Sequence, residues 1–139
     1  MKKIPTFVLV VAARIVDREG RVLVQRALPG KPHSGLWELP GGNVDNDELP
    51  RAALVREVAE ELGIDLSPDT LEPAGFAEER ATDNRPALVM MLYTCRVWRG
   101  EPTAREGQEW CWCTAAQSRE IKLAAMDRSL LEAWLAESG

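Results

Sequence analysis

The chain has 139 residues, which is enough for a single domain that buries about two-thirds of its unfolded surface. Its formal net charge of −5 and the absence of a basic run argue against nonspecific binding to a nucleic acid polymer. They leave nucleotide binding open, because a bound metal ion neutralises both carboxylates and phosphates. An odd number of cysteines and a single histidine, His33, speak against a disulfide framework or a zinc site. We therefore expect reduced thiols and a cytoplasmic protein.

The first 40 residues predict strands joined by polar turns. One apolar segment covers residues 5–16 and a second covers residues 21–26, with a polar turn at 17–20, which together predict a β-hairpin. The first segment is too short to cross a membrane, so we expect no membrane association. A loop follows over residues 27–35, where His33 is either a substrate contact or a solvated side chain. Residues 36–40 are expected to form a short strand.

Residues 50–62 have the pattern of an amphipathic helix. Pro50 suits the first helical position, where its missing N–H costs nothing, and Gly63 suits a left-handed C-terminal cap. Leu49, just before the helix, is a poor N-cap. Apolar residues recur at helical spacing and are expected to form one buried stripe of Ala52, Val55, Val58, Ala59 and Leu62.

Three glutamates, Glu57, Glu60 and Glu61, are predicted to share the opposite face of this helix. Like charges repel at these spacings, and the helix dipole disfavours anions near the C-terminal end. They form either an ordinary solvated face or a site for a hard cation such as Mg²⁺, which prefers oxygen ligands. We favour the cation site, with Glu57 as a ligand or as a base. The carbonyl of Gly41 would add a ligand, and Gly42 would let the backbone approach a phosphate.

The remainder of the chain predicts further strands and helical turns. Residues 64–70 form a turn, residues 71–79 a strand, residues 80–86 a hairpin loop and residues 87–98 a long strand. A loop over 99–109 leads to a strand at 110–113 and helical turns at 114–120. A last helix is expected over 127–136, where apolar residues again recur at helical spacing. Strands combined with helices on an apolar sheet predict an α/β/α sandwich.

Residues 42–64 resemble the Nudix box at every specified position, which are Gly42, Glu48, Arg56, Glu57, Val58, Glu60, Glu61, Gly63 and Ile64. The preceding residues 35–42 resemble the approach to the box in the MutT branch of the family. The resemblance implies one domain over residues 1–139 with the α/β Nudix fold, a mixed sheet between helices. It also implies Mg²⁺-dependent hydrolysis of a nucleoside diphosphate linked to another group, with Mn²⁺ as an alternative metal.

The resemblance extends to residues outside the helix. Glu106 resembles the loop glutamate that MutT-type enzymes bring to the metal, although a solvated loop charge is the alternative. Arg26 resembles the arginine at a strand end near the phosphates, or is a rim charge without a role. Arg56 is expected to pair with Glu48 and to fix the geometry between loop and helix. The resemblance thus implies metal ligation by Gly41, Glu57, Glu60, Glu61 and Glu106.

Asp127 departs from the MutT pattern, which has an asparagine that reads the oxidised guanine. A carboxylate only accepts hydrogen bonds unless it is protonated, whereas an amide both donates and accepts. Asp127 is therefore expected to favour amino-bearing base edges, as in relatives similar to CTP pyrophosphohydrolases. The alternative is that Asp127 only caps the last helix.

These observations predict an enzyme that hydrolyses a (deoxy)nucleoside triphosphate to the monophosphate and pyrophosphate, with Glu57 or Glu106 as the base and Glu60 as a catalytic metal ligand. Its substrate would be 8-oxo-dGTP, CTP or dCTP, and its role the clearing of oxidised or surplus nucleotides. Other Nudix substrates, such as ADP-ribose or a dinucleoside polyphosphate, stay open, as does a nucleotide sensor without turnover. We expect a monomer or a homodimer that acts on a small nucleotide and has neither a nucleic acid polymer nor a membrane as a partner.

Overall fold

The computed structural model describes residues 6–30 and 35–138, and His33 of the predicted loop lies outside them. The described part contains nine strands, three α-helices and one short 3-10 helix at Pro68–Thr70. The strands are β1 (Val8–Ile15), β2 (Val22–Arg26), β3 (Trp37–Glu38), β4 (Gly41–Asn43), β5 (Asp65–Leu66), β6 (Glu72–Glu79), β7 (Leu88–Cys95), β8 (Trp98–Arg99) and β9 (Glu109–Cys113). The helices are α1 (Pro50–Leu62), α2 (Ala115–Glu120) and α3 (Ala125–Ser138).

The described strands form three sheets. The largest has the order β4-β1-β7-β6, in which β1 runs parallel to β7 and the other pairs are antiparallel. Strands β3, β2 and β9 form an antiparallel sheet, and β5 pairs with β8. This order places β4, which carries the glycine pair, at the edge of the main sheet beside β1.

The predicted hairpin of residues 5–16 and 21–26 forms only at its turn. The N–H of Asp17 donates to the carbonyl of Arg21 at 3.0 Å, and Val16 and Val22 form an isolated antiparallel bridge. Beyond the turn the prediction is wrong, because β1 and β2 enter different sheets and pair with β7 and β9. Local hydrophobic patterning shows that a strand is buried but does not determine its partner.

Helices cover both faces of the main sheet, and each face has its own core. On one face, Leu54 and Val58 of α1 pack into a cluster with Val11 of β1. On the other face, Leu131 of α3 packs into a cluster with Ala12 of β1. Because successive side chains of a strand point to opposite faces, β1 supplies both cores. The predicted α/β/α sandwich is confirmed.

Helix α1 begins and ends where the sequence predicts. Pro50 occupies the first turn, and Leu49 before it provides no side-chain cap. Gly63 adopts a left-handed conformation with φ of 70°, and its N–H donates to the carbonyl of Ala59 at 3.0 Å. This cap turns the chain away from the helix directly after the acidic residues.

The predicted apolar stripe of α1 is wrong in part, because the helix is rotated about its axis. Ala52 is exposed, and the buried residues are Ala53, Leu54, Val58, Glu61 and Leu62. Leu54 is a large apolar side chain that enters the core, and a residue seven positions later lies on the same face. The rotation that buries Leu54 therefore carries Glu61 inward as well.

The C-terminal half follows the prediction with two shifts. The strand predicted over 87–98 ends at Cys95, and the chain resumes as β8, which pairs with β5 from the predicted turn. Helix α2 starts at a capping box in which Thr114 and Gln117 exchange hydrogen bonds. Helix α3 begins at Ala125, so Asp127 lies within its first turn and not at its start.

The three cysteines, Cys95, Cys111 and Cys113, are free in the structure, and the first and the last of them are buried. That all three thiols are reduced stays a prediction. No helix in the described ranges is long and apolar enough to cross a membrane.

Candidate active site

The glycine pair lies against both the main sheet and helix α1. Strand β4 pairs with β1 through Gly41 and Gly42, opposite Ala12 and Val11. A side chain at Gly41 would overlap the backbone carbonyl of Val11, and one at Gly42 would overlap the carboxylate of Glu57. The absence of side chains at both positions therefore lets the acidic face of α1 approach the sheet edge.

The predicted ion pair between Arg56 and Glu48 is present and has two hydrogen bonds. Nε and Nη2 of Arg56 each donate to an oxygen of Glu48 at 2.9 Å. These bonds, and a third from the N–H of Asp45, lower the pKa of Glu48 to about 2. Nη2 of Arg56 also donates to the carbonyl of Asn43 at 3.1 Å. The guanidinium thus ties the loop after β4 to the helix, where no side-chain N-cap is present.

Glu57 and Glu60 both face the same guanidinium. Nη1 of Arg56 donates to Oε1 of Glu57 at 3.0 Å and lies 3.5 Å from Oε2 of Glu60. Glu57 is half-buried, and burial raises its pKa against the opposing effect of Arg56. The charges of Glu60 and Glu106 raise the pKa of Glu57 further. Ionising Glu57 therefore costs more free energy than ionising a free glutamate.

Glu61 is buried with the apolar residues of α1, which corrects the prediction that it lies with Glu57 and Glu60 on the opposite face of the helix. Its Oε1 accepts hydrogen bonds from Nε2 of Gln25 at 2.8 Å and from the N–H of Gly41 at 3.2 Å. Burial raises the pKa of Glu61 to about 8, and the charges of Glu57 and Glu106 add to the effect. A buried carboxylate of this kind needs a positive partner to be charged at neutral pH.

Glu106 lies in the loop before β9, and its side chain is exposed. Its charge acts on both Glu57 and Glu61, so the fold brings this loop near the acidic end of α1, as the resemblance implies. The backbone N–H of Glu106 donates to Oε1 of Gln108 at 3.1 Å. A residue 44 positions beyond the end of α1 is thus placed beside the helix by tertiary structure.

The donor chemistry of these residues fits a hard divalent cation, because all are carboxylates and the buried ones have raised pKa values. However, no three acidic, histidine or cysteine side chains in the described ranges surround a common point. Arg56 holds Glu57 and faces Glu60, whereas Gln25 holds Glu61. The predicted ligands are therefore neighbouring carboxylates that do not converge on a single point in the described part of the chain.

A cavity of about 430 Å³ adjoins the glycine pair. Gly41, Gly42, Glu38 and Asp127 line it together with apolar side chains of β1 and α3. Burial raises the pKa of Glu38. A cavity with an apolar lining and a few polar groups, next to carboxylates, is suited to a small organic ligand that carries phosphates.

A wider groove of about 870 Å³ lies elsewhere, between the turn after β1 and the segment from Arg96 to Glu101. Among the described residues, its lining includes none of the predicted site residues. We therefore do not assign the active site to this groove, although it is larger. We assign the ligand to the cavity at the glycine pair.

Asp127 is 2% exposed and lies in the wall of the smaller cavity. Its Oδ2 accepts the backbone N–H of Leu39 at 2.7 Å. This bond reaches across to the segment between β3 and β4 and not to the backbone of its own helix. Asp127 lies both in the cavity wall and in the first turn of α3, so a contact with a base and a helix cap both stay open.

Arg26 lies at the end of β2, where its guanidinium pairs with Glu109 and stands 5.0 Å from the ring centre of Trp37. The described contacts of Arg26 include none of the acidic residues of α1. Both predicted interpretations of Arg26 therefore stay open, a phosphate contact or a rim charge.

Sequence reasoning missed three residues near the site, Gln25, Gln108 and Glu38. Gln25 follows the buried apolar residues of β2 and is itself 6% exposed. A polar residue in a fully buried strand segment is a usable signal, because a buried amide needs hydrogen-bond partners.

Comparison with known proteins identifies the family. The NUDIX domain family matches residues 6–134. The chain is 35% identical over 128 residues to the CTP pyrophosphohydrolase of Escherichia coli (strain K12), covering 91% of this chain and 90% of that protein. It is 37% identical over 107 residues to the 8-oxo-dGTP diphosphatase of Haemophilus influenzae, covering 76% and 75%. The crystal structure of the MutT NUDIX hydrolase from Burkholderia pseudomallei superposes with a TM-score of 0.81 at 30% identity, covering 91% and 97%.

The chain therefore belongs to the Nudix hydrolase family and is an enzyme of that class. Within the family it is of the MutT type. The predicted Nudix fold is confirmed by the same structural match.

Proposed function

We propose that this protein is a Mg²⁺-dependent (deoxy)nucleoside triphosphate pyrophosphohydrolase that releases the nucleoside monophosphate and pyrophosphate. The observation that carries the proposal is that the glycine pair separates two complementary features. On one side lie the glutamates of α1, and on the other lies the 430 Å³ cavity with Asp127 in its wall. A nucleotide whose base enters the cavity has its phosphates at Gly41 and Gly42, beside the carboxylates.

The residues that would hold the metal are Glu57, Glu60 and Glu61, with Glu106 and the carbonyl of Gly41. When bound, Mg²⁺ neutralises phosphate charge and lowers the pKa of water. Glu57 and Glu106 are the candidates for accepting the proton of the attacking water. The half-buried position of Glu57 and its raised pKa make it the better matched base.

In this proposal Arg56 does not react itself but positions the residues to which it is hydrogen-bonded. Its bonds to Glu48 fix the loop after β4, and its bond to Glu57 keeps that carboxylate oriented toward the glycine pair. Gly42 leaves the space that the Glu57 carboxylate occupies. Their joint effect is to place the base and the backbone that faces the phosphates in one fixed geometry.

The substrate that we propose carries an amino-bearing base edge. Asp127 is a buried acceptor in the cavity wall, and a carboxylate pairs with donors such as the amino group of cytosine. CTP and dCTP fit this requirement directly, and 8-oxo-dGTP fits through its N1–H and N2 side. The activities named for the two relatives, CTP pyrophosphohydrolase and 8-oxo-dGTP diphosphatase, support the same substrates.

We keep the predicted cellular location, oligomeric state and type of partner. The free cysteines support a cytoplasmic location. A monomer or a homodimer that acts on free nucleotides, and not on a nucleic acid polymer, stays our prediction.

The test is a substrate panel with purified protein and Mg²⁺. It contains CTP, dCTP, dGTP, 8-oxo-dGTP, dATP, ADP-ribose and a dinucleoside tetraphosphate, and kcat/KM is measured for each. We expect the highest value for CTP, dCTP or 8-oxo-dGTP. Turnover of ADP-ribose or of the dinucleoside polyphosphate alone would overturn the triphosphate proposal. Nucleotide binding without turnover across the panel would indicate a sensor.

A further inference from the structure

Two buried glutamines connect the loop of Glu106 to helix α1. Gln25 on β2 and Gln108, just before β9, are 6% and 8% exposed. They lie near each other because β2 pairs with β9, in a register that sets Arg26 opposite Glu109. We call these two side chains the glutamine bridge.

The bridge is a continuous chain of hydrogen bonds. The backbone N–H of Glu106 donates to Oε1 of Gln108 at 3.1 Å. Nε2 of Gln108 donates to Oε1 of Gln25 at 3.0 Å and to the backbone carbonyl of Glu61 at 2.8 Å. Nε2 of Gln25 then donates to Oε1 of Glu61 at 2.8 Å. The chain therefore runs from the Glu106 loop to both the backbone and the carboxylate of Glu61.

The direction of these bonds is fixed by the chemistry at their ends. The N–H of Glu106 can only donate, so Gln108 must present its oxygen there and its amide nitrogen to Gln25. Gln25 accepts that bond on its oxygen, which leaves its amide nitrogen for the carboxylate of Glu61. Both bonds to Glu61 end on Oε1, so they fit the ionised carboxylate and also the acid that carries its proton on Oε2.

The bridge also selects which oxygen of Glu61 is held. Both bonds to the carboxylate, from Gln25 and from the N–H of Gly41, engage Oε1. Within the described part of the chain, Oε2 accepts no hydrogen bond. The carboxylate is thus anchored on one side and open on the other.

We propose that Gln25 and Gln108 are positioning residues that hold Glu61 and the Glu106 loop in register for one divalent cation. The inference rests on the proposed function, because it takes Glu61 and Glu106 as metal ligands. Without the bridge, the carboxylate of Glu61 would keep the bond from the N–H of Gly41 but lose the one from Gln25. The loop would stay linked to α1 through the backbone bonds of Arg105 and Thr103, but Glu106 itself would lose its bond to Gln108. Outer hydrogen-bond partners of metal ligands affect metal affinity by about 10–100-fold.

The test measures Mn²⁺ binding to the full chain from the electron paramagnetic resonance signal of free Mn²⁺, with no nucleotide present. The variants are Gln25→Leu, Gln108→Leu and the near-isosteric Gln108→Glu, which keeps an acceptor for Glu106 but loses the two Nε2 donor bonds. We expect the Kd for Mn²⁺ to rise about 10-fold or more in each. The double variant Gln25→Leu/Gln108→Leu should have a Kd for Mn²⁺ close to that of whichever single leucine variant binds Mn²⁺ more weakly. The two effects should not add, because both residues belong to one chain of hydrogen bonds.

Gln117→Leu is the matched control. Gln117 is exposed and caps α2, so its loss lowers the melting temperature without touching the bridge. We expect its Kd for Mn²⁺ to stay within about twofold of the wild-type value. Circular dichroism checks folding, and Gln108→Glu serves if the leucine variants do not fold.

An unchanged Kd in folded Gln25→Leu and Gln108→Glu would overturn the proposal and leave the bridge a structural element only. A wild-type protein that binds no Mn²⁺ would overturn it too. Because this readout needs no turnover, failure of the panel assay leaves the comparison intact. The proposal about the glutamine bridge and the proposed function can therefore be disproved independently.

Discussion

The carboxylate of Asp127 accepts the backbone N–H of Leu39 at 2.7 Å, across 88 positions of sequence. Two backbone bonds reinforce this junction, since Trp37 donates to Lys122 at 2.7 Å and Ala124 donates to Trp37 at 2.9 Å. The first turn of α3 is thereby fixed to the segment that leads into the glycine pair. These bonds set the distance between Asp127, which we propose contacts the base, and the glycine pair, which we propose faces the phosphates.

Replacing Asp127 with asparagine should change base preference and keep the fold. The amide oxygen of Asn can still accept the N–H of Leu39, while an NH₂ donor replaces the other oxygen. We expect kcat/KM for CTP to fall about 10-fold relative to 8-oxo-dGTP, which corresponds to about 1.4 kcal/mol. Steady-state kinetics on both substrates give this ratio.

The control for this change is Asp127→Ala, which leaves the buried N–H of Leu39 without its acceptor. It should lower the free energy of unfolding by about 1–3 kcal/mol, measured by urea denaturation. If Asp127→Asn leaves the ratio of kcat/KM for the two substrates unchanged, Asp127 does not read the base.

The two neighbouring glycines should respond differently to alanine. At Gly41 a methyl group would overlap the carbonyl of Val11, so Gly41→Ala should break the pairing of β4 with β1 and lower the melting temperature strongly. At Gly42 it would overlap only the carboxylate of Glu57, the far end of a flexible side chain. Gly42→Ala should therefore fold but lose activity, by about 10-fold or more.

Thermal unfolding and kcat measured on the same preparations separate these effects. Equal loss of stability in both variants would mean that Gly42 is needed for the fold and not for the position of Glu57.

Local signals predicted much of the fold, and the reasons are visible in α1. Pro50 and Gly63 act on the backbone next to them, so both helix ends could be read from the sequence. The pairing of Arg56 with Glu48 was also predictable, because only eight positions separate the two residues. The resemblance supplied the Nudix fold, which composition and periodicity alone restrict only to an α/β sandwich.

Contacts between distant segments could not be predicted in the same way. Glu61 is buried because Leu54 rotates the helix, and its partner Gln25 lies 36 positions away on a strand of another sheet. The bond between Gln25 and Gln108 spans 83 positions. Strands β1 and β2 likewise enter different sheets because they pair with β7 and β9. Those strands lie far along the sequence, so the local hairpin pattern carries no information about them.

Without metal, the buried carboxyl of Glu61 should make the protein less stable as pH rises. Its pKa is raised from 4.5 to about 8 in the folded state. Between these values the folded protein binds one more proton than the unfolded chain, so stability is full below pH 4.5 and is lost as pH rises toward 8. The slope is at most about 1.4 kcal/mol per pH unit.

Urea denaturation in EDTA at pH 5 and pH 8 measures this slope. Glu61→Gln should remove most of it, with a smaller slope left from Glu57, whose pKa is also raised. Mg²⁺ should stabilise the wild-type protein at pH 8 and have little effect on the variant. A variant with the wild-type slope would show that Glu61 does not titrate in this range.

Substitution of Glu60 should separate catalysis from folding. Its side chain is 55% exposed, so Glu60→Gln should change the free energy of unfolding by less than about 0.5 kcal/mol. Loss of a metal ligand should reduce kcat/KM by about 100-fold or more. Glu132→Gln on α3, with a side chain that is 64% exposed, is the matched control and should keep wild-type activity.

Activity that survives Glu60→Gln would remove Glu60 from the metal site. In that case Glu57, Glu61 and Glu106 would be tested by the same substitution.

The most direct test of the central claim is the product balance with Mg²⁺ and CTP or 8-oxo-dGTP, followed by phosphorus NMR. The proposed hydrolysis yields one pyrophosphate for each nucleoside monophosphate, and EDTA abolishes both products. Release of orthophosphate with a nucleoside diphosphate, or hydrolysis that continues in EDTA, would contradict the proposed function.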